Sequence, residues 1–282
     1  MKPPFAGRTY LITGAAQGIG CELIKQLAAE GANVFFTYYQ DEDHAKSLVE
    51  GLRSAAGTVD CMEQDARTPE GAKKVVDSAI KRFGRIDGLI NNAGYKLDRS
   101  FIMMQEEDWN DQIAVNLNSV YYYSRAVAYH MVRQKYGRII CMGAVSGPLI
   151  AGPYQVAYGA SKAGLVGFTK SLAFELARFN VTVNMVTGGM IDTAGMKFPQ
   201  DIRKVWADHI PLQRLGKADE VASLVKYLLT PLSDYITGQN FVIDGGMTLL
   251  GFTKIENMFP RYNHGMRNLG KSLSLASDHT DP

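Results

Sequence analysis

The chain has 282 residues, 46% of them hydrophobic and 21% charged, enough apolar material for a core and too much for an intrinsically disordered polypeptide. A formal net charge of +2 makes no electrostatic case for nucleic acid or a membrane surface as partner. The three cysteines, Cys21, Cys61 and Cys141, are scattered without metal-ligand spacing, so no metal site and no disulfide framework is expected, and a reducing compartment is.

The N-terminal Met-Lys-Pro-Pro-Phe-Ala-Gly lacks an apolar stretch of signal-peptide length, and no window approaches the roughly 20 apolar residues of a membrane span. A cytoplasmic protein is therefore expected. Strand-like apolar runs lie at Thr9–Thr13, Asn33–Tyr38, Gly88–Asn91, Gly137–Met142, Thr182–Val186 and Asn240–Ile243. Segments of helical period lie between them at Gly18–Glu30, Asp43–Ala55, Pro69–Phe83, Glu106–Arg133, Ser161–Phe179 and Ala218–Leu229. Strand alternating with helix predicts an α/β fold, a single doubly wound Rossmann-type domain with a parallel sheet flanked by helices on both faces. It is expected to occupy residues 1–250, with residues 251–282 as a C-terminal extension.

Thr13-Gly14-Ala-Ala-Gln17-Gly18-Ile19-Gly20 follows the first strand and opens directly into a helix. Glycines there let the backbone turn tightly and approach a pyrophosphate, whose charge sits at the helix N-terminus. The plainer alternative is a tight strand-to-helix turn that holds no ligand. At the tip of the second strand, Phe35-Phe-Thr37-Tyr38-Tyr39-Gln40 carries no carboxylate. A carboxylate there would accept hydrogen bonds from the ribose 2′-hydroxyl of NAD and repel a 2′-phosphate. Its absence permits NADP, although Asp41, Glu42 and Asp43 follow and no arginine or lysine stands beside them. Tyr158 and Lys162 are four apart in what reads as the first turn of a helix, so they share a face. An ammonium beside a phenol favours the phenolate and lowers its pKa from about 10. Tyr-x-x-x-Lys also occurs by chance on protein surfaces.

The Gly-x-x-x-Gly-x-Gly spacing of residues 14–20, taken with the Tyr158–Lys162 pair, resembles the short-chain dehydrogenase/reductase family. Asn91-Asn-Ala93-Gly94, Asn116 and Ile236-Thr-Gly-Gln…Asp244-Gly-Gly246 extend the resemblance in order over residues 7–250. It implies NADP(H) as the preferred cofactor, with NAD(H) as the alternative. The implied cofactor contacts are Gly14, Gln17, Gly18, Ile19, Gly20, Tyr38, Asn91, Ala93, Gly94, Gly189, Ile191 and Thr193, with Tyr158 and Lys162. Asp65, after a third strand, matches the acid that meets the adenine. Tyr158 is implied as proton donor to a carbonyl oxygen, Lys162 as the group that holds the nicotinamide ribose and lowers the tyrosine pKa, and Asn116 as keeper of a water in the proton relay. From its residue type alone, Asn116 reads equally as a mid-helix amide bonded to nearby backbone.

Two departures from the family pattern stand out. Where Gly-Arg-Ile-x-x-x-Ser-Ser is usual, this chain has Gly137-Arg-Ile-Ile-Cys-Met-Gly143-Ala144, so the expected hydroxyl is a methyl group. Losing one such donor costs on the order of 10²–10³ in turnover. Ser146, two residues further on, is the candidate substitute, and whether it serves stays open. Thr187-Gly188-Gly189 stands where the family carries Pro-Gly, which is expected to loosen the loop beside the nicotinamide.

Residues 92–104, Trp109-Asn-Asp111 and Arg214-Leu-Gly216 most resemble the 3-oxoacyl-acyl-carrier-protein reductase branch. That implies a small-molecule or carrier-bound ketone as substrate and an acidic acyl carrier protein as partner, with Lys135, Arg138 and Arg178 as docking candidates near the pocket mouth. Ordinary solvated charge is the plainer reading of each. The resemblance also implies a homotetramer built on the helices around 106–133 and 161–179, where Tyr121-Tyr-Tyr123 suits an interface or a core. Residues 251–282 read as an arm, a lid or a partly disordered tail, with Phe252, Met258, Phe259 and Tyr262 favouring packing. Two other functions stay open: a weakly active or non-catalytic paralogue in a hetero-oligomer, and an NAD-dependent alcohol or sugar dehydrogenase.

Overall fold

The computed structural model describes residues 5–193 and 199–249. All four residues of β1 (Thr9–Ile12) are buried, as they must be in a strand covered on both faces. With β2 (Asn33–Tyr38), β3 (Val59–Glu63), β4 (Gly88–Asn91), β5 (Gly137–Ala144), β6 (Val181–Gly188) and β9 (Asn240–Ile243) it forms a seven-stranded sheet in the order β3-β2-β1-β4-β5-β6-β9. Every pairing is parallel. This is the predicted doubly wound architecture. A small ladder joins β7 (Ile191–Asp192) to β8 (Gly216–Lys217).

Alternate side chains feed two separate cores, because successive residues of a strand point to opposite faces. Tyr10, Ile12, Val34, Phe36, Ile90, Ile140 and Val186 pack with Leu23, Ile24 and Leu27 of α1 (Gly18–Ala29) and Val221, Val225 and Leu228 of α8 (Ala218–Leu229). Leu11, Phe35, Leu89, Ile139, Val183 and Met185 pack on the other face with Val75 of α3 (Pro69–Phe83), Val127 and Met131 of α5 (Ser119–Gln134) and Leu165 of α6 (Val156–Leu176). The remaining helices are α2 (Glu42–Gly51), α4 (Glu106–Ile113) and α7 (Gln200–Asp208).

The differences from the sequence reading have physical causes. β3 is missing from the apolar runs because it is an edge strand, Val-Asp-Cys-Met-Glu, that buries its side chains only partly. The single long helix expected over 106–133 is two α-helices joined by a π-helical turn at Ala114–Asn118, an irregularity that hydrophobic period does not reveal. The chain divides into one unit at Met1–Met247 and a second at Thr248–Pro282. The expectations for residues 251–282 lie outside the described residues.

Arg138 is not a docking residue. It is fully buried at the start of β5, its guanidinium paired with Asp234, bonded to Gly137 O at 2.9 Å and 4.3 Å from the Tyr136 ring centroid. Its Nε has no hydrogen-bond partner, so the pair is incompletely compensated. Buried ion pairs of this kind cost more to break than to replace. Asp234 is half-exposed, so Asp234→Asn is expected to lower stability by only about 1–2 kcal/mol, whereas Arg138→Met with Asp234→Asn recovers most of that loss. Urea denaturation of the two variants checks the order.

Candidate active site

The strand order reverses between β1, which hydrogen-bonds to both β2 and β4, and the crossovers on either side of it. Loops leaving the carboxyl ends of β1 and β4 therefore diverge and open a crevice, the usual ligand position in such sheets. Side chains tie these two loops together. Thr13 Oγ1 accepts from the backbone N–H of Asn92 and of Ala93, both at 3.0 Å, and Asn92 Nδ2 donates to Thr13 O at 3.0 Å and Gly14 O at 2.8 Å. Thr37 Oγ1 on β2 accepts from Gly14 N at 3.0 Å. Thr13, Thr37 and Asn92 were not singled out from the sequence.

The crevice is a cleft of about 350 Å³ that includes Gly14, Gln17, Tyr38, Asp65, Ala93 and Gly94 in its lining. Gly14 has φ +60°, and a methyl group on it would lie 2.7 Å from Ala93 Cα. Only glycine lets the two loops meet this closely. No side chain caps α1 and no acid sits in its first turn, whereas Thr68 caps α3 and Asp108 bonds back at the start of α4. An uncapped helix start leaves N–H groups for an anion, so these residues fit a dinucleotide pyrophosphate. Thr193 lies against the same turn, its methyl carbon 3.7 Å from where a side chain on Gly18 would begin.

Other expected cofactor residues are placed less simply. The Asp65 carboxylate is gripped by Arg67, from Nε at 2.9 Å and Nη2 at 2.7 Å, and these hydrogen bonds hold its pKa below the usual carboxylate value. Arg67 Nη1 also reaches Asp111 at 2.8 Å. Asn91 is buried and donates to Ser124 Oγ on α5 at 3.2 Å, so its side chain faces the helix layer. Its neighbour Asn92 makes the loop contacts. Ile191 is buried in β7, and Gly189 N donates to Ile243 O at 3.0 Å.

Beyond Gly94 lie the groups with proton chemistry. A methyl group on Gly94 would sit 3.5 Å from Asn116 Oδ1 and 3.8 Å from Lys162 Nζ, so all three converge. Asn116 is fully buried in the π-helical turn; its Oδ1 accepts from Tyr95 N at 2.9 Å and its Nδ2 donates to Tyr95 O at 2.7 Å. Gln112, one turn earlier, clamps Leu97 the same way, both bonds at 3.2 Å. Lys162 is buried on α6, donates to Met142 O at 2.9 Å and lies 5.8 Å from the Tyr158 ring centroid. Burial pushes its ammonium pKa down to about 8. Tyr158 is pushed up to about 12, first by burial and then by the Asp98 carboxylate. The phenol is thus raised by burial, where the Tyr158–Lys162 spacing alone leads one to expect it lowered.

Ala144 ends β5 opposite Gly188 of β6. Beyond it Gly147, with φ +99°, presses its backbone onto Gly159 of α6, where a methyl group would lie 2.1 Å from the Gly159 oxygen. Ser146 lines a second hollow with Gly147, Pro148, Leu149, Gln155 and Gly159. Just before the glycine pair, Thr187 is buried in β6 and its hydroxyl donates to Asn240 Oδ1 of β9 at 2.5 Å. Lys135 and Arg178 are exposed but precede β5 and β6, at the sheet end opposite the cleft. Of the tyrosine run, Tyr123 belongs to the core, while Tyr121 is exposed and bonded to Arg125 at 2.8 Å.

A family model described as enoyl-(acyl carrier protein) reductase matches residues 14–248. The 3-oxoacyl-[acyl-carrier-protein] reductase FabG of Thermotoga maritima is 39% identical over 244 residues, covering 86% of this chain and 98% of that protein. Among solved structures, the short-chain dehydrogenase/reductase from Serratia marcescens BCRC 10948 superposes with a TM-score of 0.82 at 32% identity, covering 87% of this chain and 99% of the other. A short chain dehydrogenase from Burkholderia cenocepacia J2315, solved in complex with NADP, gives a TM-score of 0.81 at 32% identity over 86% of this chain and 99% of its own.

The buried lysine has a thermodynamic signature. Its folded pKa of about 8 lies below the ordinary lysine value of 10.5, so between these two the unfolded chain binds more protons and stability rises with pH. The penalty is fully present below pH about 8 and is relieved as pH climbs toward 10.5. Lys162→Met is therefore expected to stabilise the protein at neutral pH. Its advantage over the parent should shrink by about 3 kcal/mol across that window, as measured by denaturant unfolding of both proteins at matched pH.

Proposed function

Because the chain belongs to the short-chain dehydrogenase/reductase family of oxidoreductases, we propose that it reduces the keto group of a 3-oxoacyl thioester, carried on acyl carrier protein or in a related polyketide or fatty-acyl intermediate, with NADP(H) as preferred cofactor. The convergence of Lys162 and Asn116 on Gly94, beside Tyr158 and at the end of the dinucleotide cleft, carries this reading. The carbonyl class is drawn from the 3-oxoacyl reductases that the chain resembles along nearly its whole folded length. NADP is favoured because Tyr38, at the end of β2, and the two residues after it carry no carboxylate, the first acid being Asp41.

A bound reduced nicotinamide supplies the hydride. Tyr158 gives its proton to the carbonyl oxygen, and its raised pKa keeps the phenol protonated throughout the neutral range. Lys162, anchored on Met142 O, holds the cofactor ribose and presents positive charge beneath the tyrosine. Asn116 fixes Tyr95 and with it the loop that carries Asp98. We further propose a homotetramer, since Tyr121 and Tyr129 on α5 and Phe174 on α6 leave apolar surface exposed. Ala144 favours a second reading, a weakly active subunit that partners an active one.

Purified protein is to be assayed by NADPH oxidation with acetoacetyl and crotonyl thioesters. Turnover of the first and not the second is expected, and the absence of any keto-thioester turnover would remove the proposal. Tyr158→Phe should abolish activity while leaving NADPH binding in place. Ala144→Ser is expected to raise turnover by about 10²-fold, the value of one restored donor; if Ser146 already fills the role, Ser146→Ala lowers turnover and Ala144→Ser adds little. In the alcohol-oxidising direction the phenolate is required, so the rate rises with pH, and Asp98→Asn moves that rise to lower pH by removing a charge that holds the proton on.

A further inference from the structure

The cleft is poorly suited to a 2′-phosphate as its charges stand. Its described lining includes three carboxylates, Asp41, Asp65 and Asp111, and a single cation, Arg67. That guanidinium is committed, with Nε and Nη2 on Asp65 and Nη1 on Asp111. Among the described residues of the lining, no other lysine or arginine is left to balance a phosphate dianion at the tip of β2. Asp41 stands at this corner, and a carboxylate there repels the group that distinguishes NADP from NAD.

One titratable cation is in reach. His44 Nδ1 lies 2.6 Å from Asp41 Oδ1 and 3.3 Å from Gln17 Nε2, while Gln17 Nε2 donates to the other Asp41 oxygen at 2.8 Å. Gln17 and Asp41 both line the cleft, and the His44 side chain is 65% exposed. A carboxylate only accepts, so Nδ1 is the donor to Asp41, which leaves Nε2 as the variable site. A neutral ring has a lone pair there. A protonated ring has a second N–H and a charge that cancels Asp41. The surrounding charges do not substitute for it: Glu42 pairs with Lys46 at 2.7 Å, Asp43 adds a further negative charge on the same helix, and Glu63 on β3 accepts from Gln40 N at 3.3 Å.

We propose that His44, held on Asp41 beside Gln17, is the specificity-determining residue for the 2′-phosphate, and that its protonation sets the choice between NADPH and NADH. The proposal rests on the dinucleotide reading above. It makes cofactor preference depend on pH, with NADPH favoured where the imidazole is charged and the discrimination fading where it is neutral.

Binding, separate from turnover, is the test. Full-length protein is titrated calorimetrically with adenosine 2′,5′-bisphosphate and with 5′-AMP, and fluorimetrically with NADPH and NADH, at about pH 6 and about pH 8.5, values that bracket histidine titration. The preference for the 2′-phosphorylated member of each pair is expected to fall about tenfold from the lower to the higher pH, the scale of one surface charge contact. The phosphate's own second ionisation, near pH 6, works in the opposite direction, so it cannot produce this result. His44→Ala should give a low ratio that no longer varies with pH in this sense, and Asp41→Asn a high ratio at about pH 8.5, with 5′-AMP binding confirming that each variant is folded. A parent ratio that is flat or rises with pH, or one that His44→Ala leaves falling, overturns the role of His44 alone. Failure to bind either dinucleotide overturns the dinucleotide reading as well.

Discussion

Everything in the site hangs from the tie between the loops after β1 and β4. Thr13 receives two backbone N–H groups from Asn92 and Ala93, and Asn92 returns two hydrogen bonds to Thr13 and Gly14. Four bonds across a crossover where the main-chain ladder has ended replace the pairing that the sheet no longer supplies. They hold Gly14 against Ala93, aim the bare start of α1 into the cleft, and place Gly94 where Lys162 and Asn116 meet it. Removing the Thr13 hydroxyl would free two buried-side donors at once, so the phosphate turn and the proton-transfer groups depend on one side chain.

The chemistry is arranged at the expense of stability. Lys162 is an amine in the interior that donates to Met142 O, and burial depresses its pKa because the fold resists the charge. Tyr158 is shifted the opposite way for the same reason, since burial penalises a phenolate as it does an ammonium. The pair is thus two groups each held toward its neutral form, and not a phenol activated by a settled cation. A cationic cofactor ring or a developing oxyanion changes that balance most where water is excluded.

Much of this was legible in the residues. The glycine turn, the alternation of strand and helix and the Tyr158–Lys162 spacing are local patterns, and local patterns map directly onto elements. β1, β2 and β4 fall where apolar runs put them because central parallel strands bury both faces. β3 escaped because an edge strand needs no such run. Arg67 and Arg138 could not be read at all, since one is bound to Asp65 and Asp111 and the other is sealed behind Asp234. Whether a charge is free depends on partners distant in sequence, as Arg138 and Asp234 are 96 residues apart. The same limit applies to Thr187, bonded to Asn240 across 53 residues of sequence.

The two amide clamps of the α4–π–α5 run have a mechanical meaning. Gln112 and Asn116 each hold one loop residue, Leu97 and Tyr95, by paired bonds that imitate a strand ladder. The loop is therefore tied to that helix, and Asp98 lies between Leu97 and Arg99, whose N–H donates to Tyr154 O at 2.9 Å and whose guanidinium pairs with Asp108 at 3.1 Å. Any force that slides or rotates the helix acts on the Asp98 charge through these bonds. Proton affinity at Tyr158 then depends on where that helix holds the Asp98 charge.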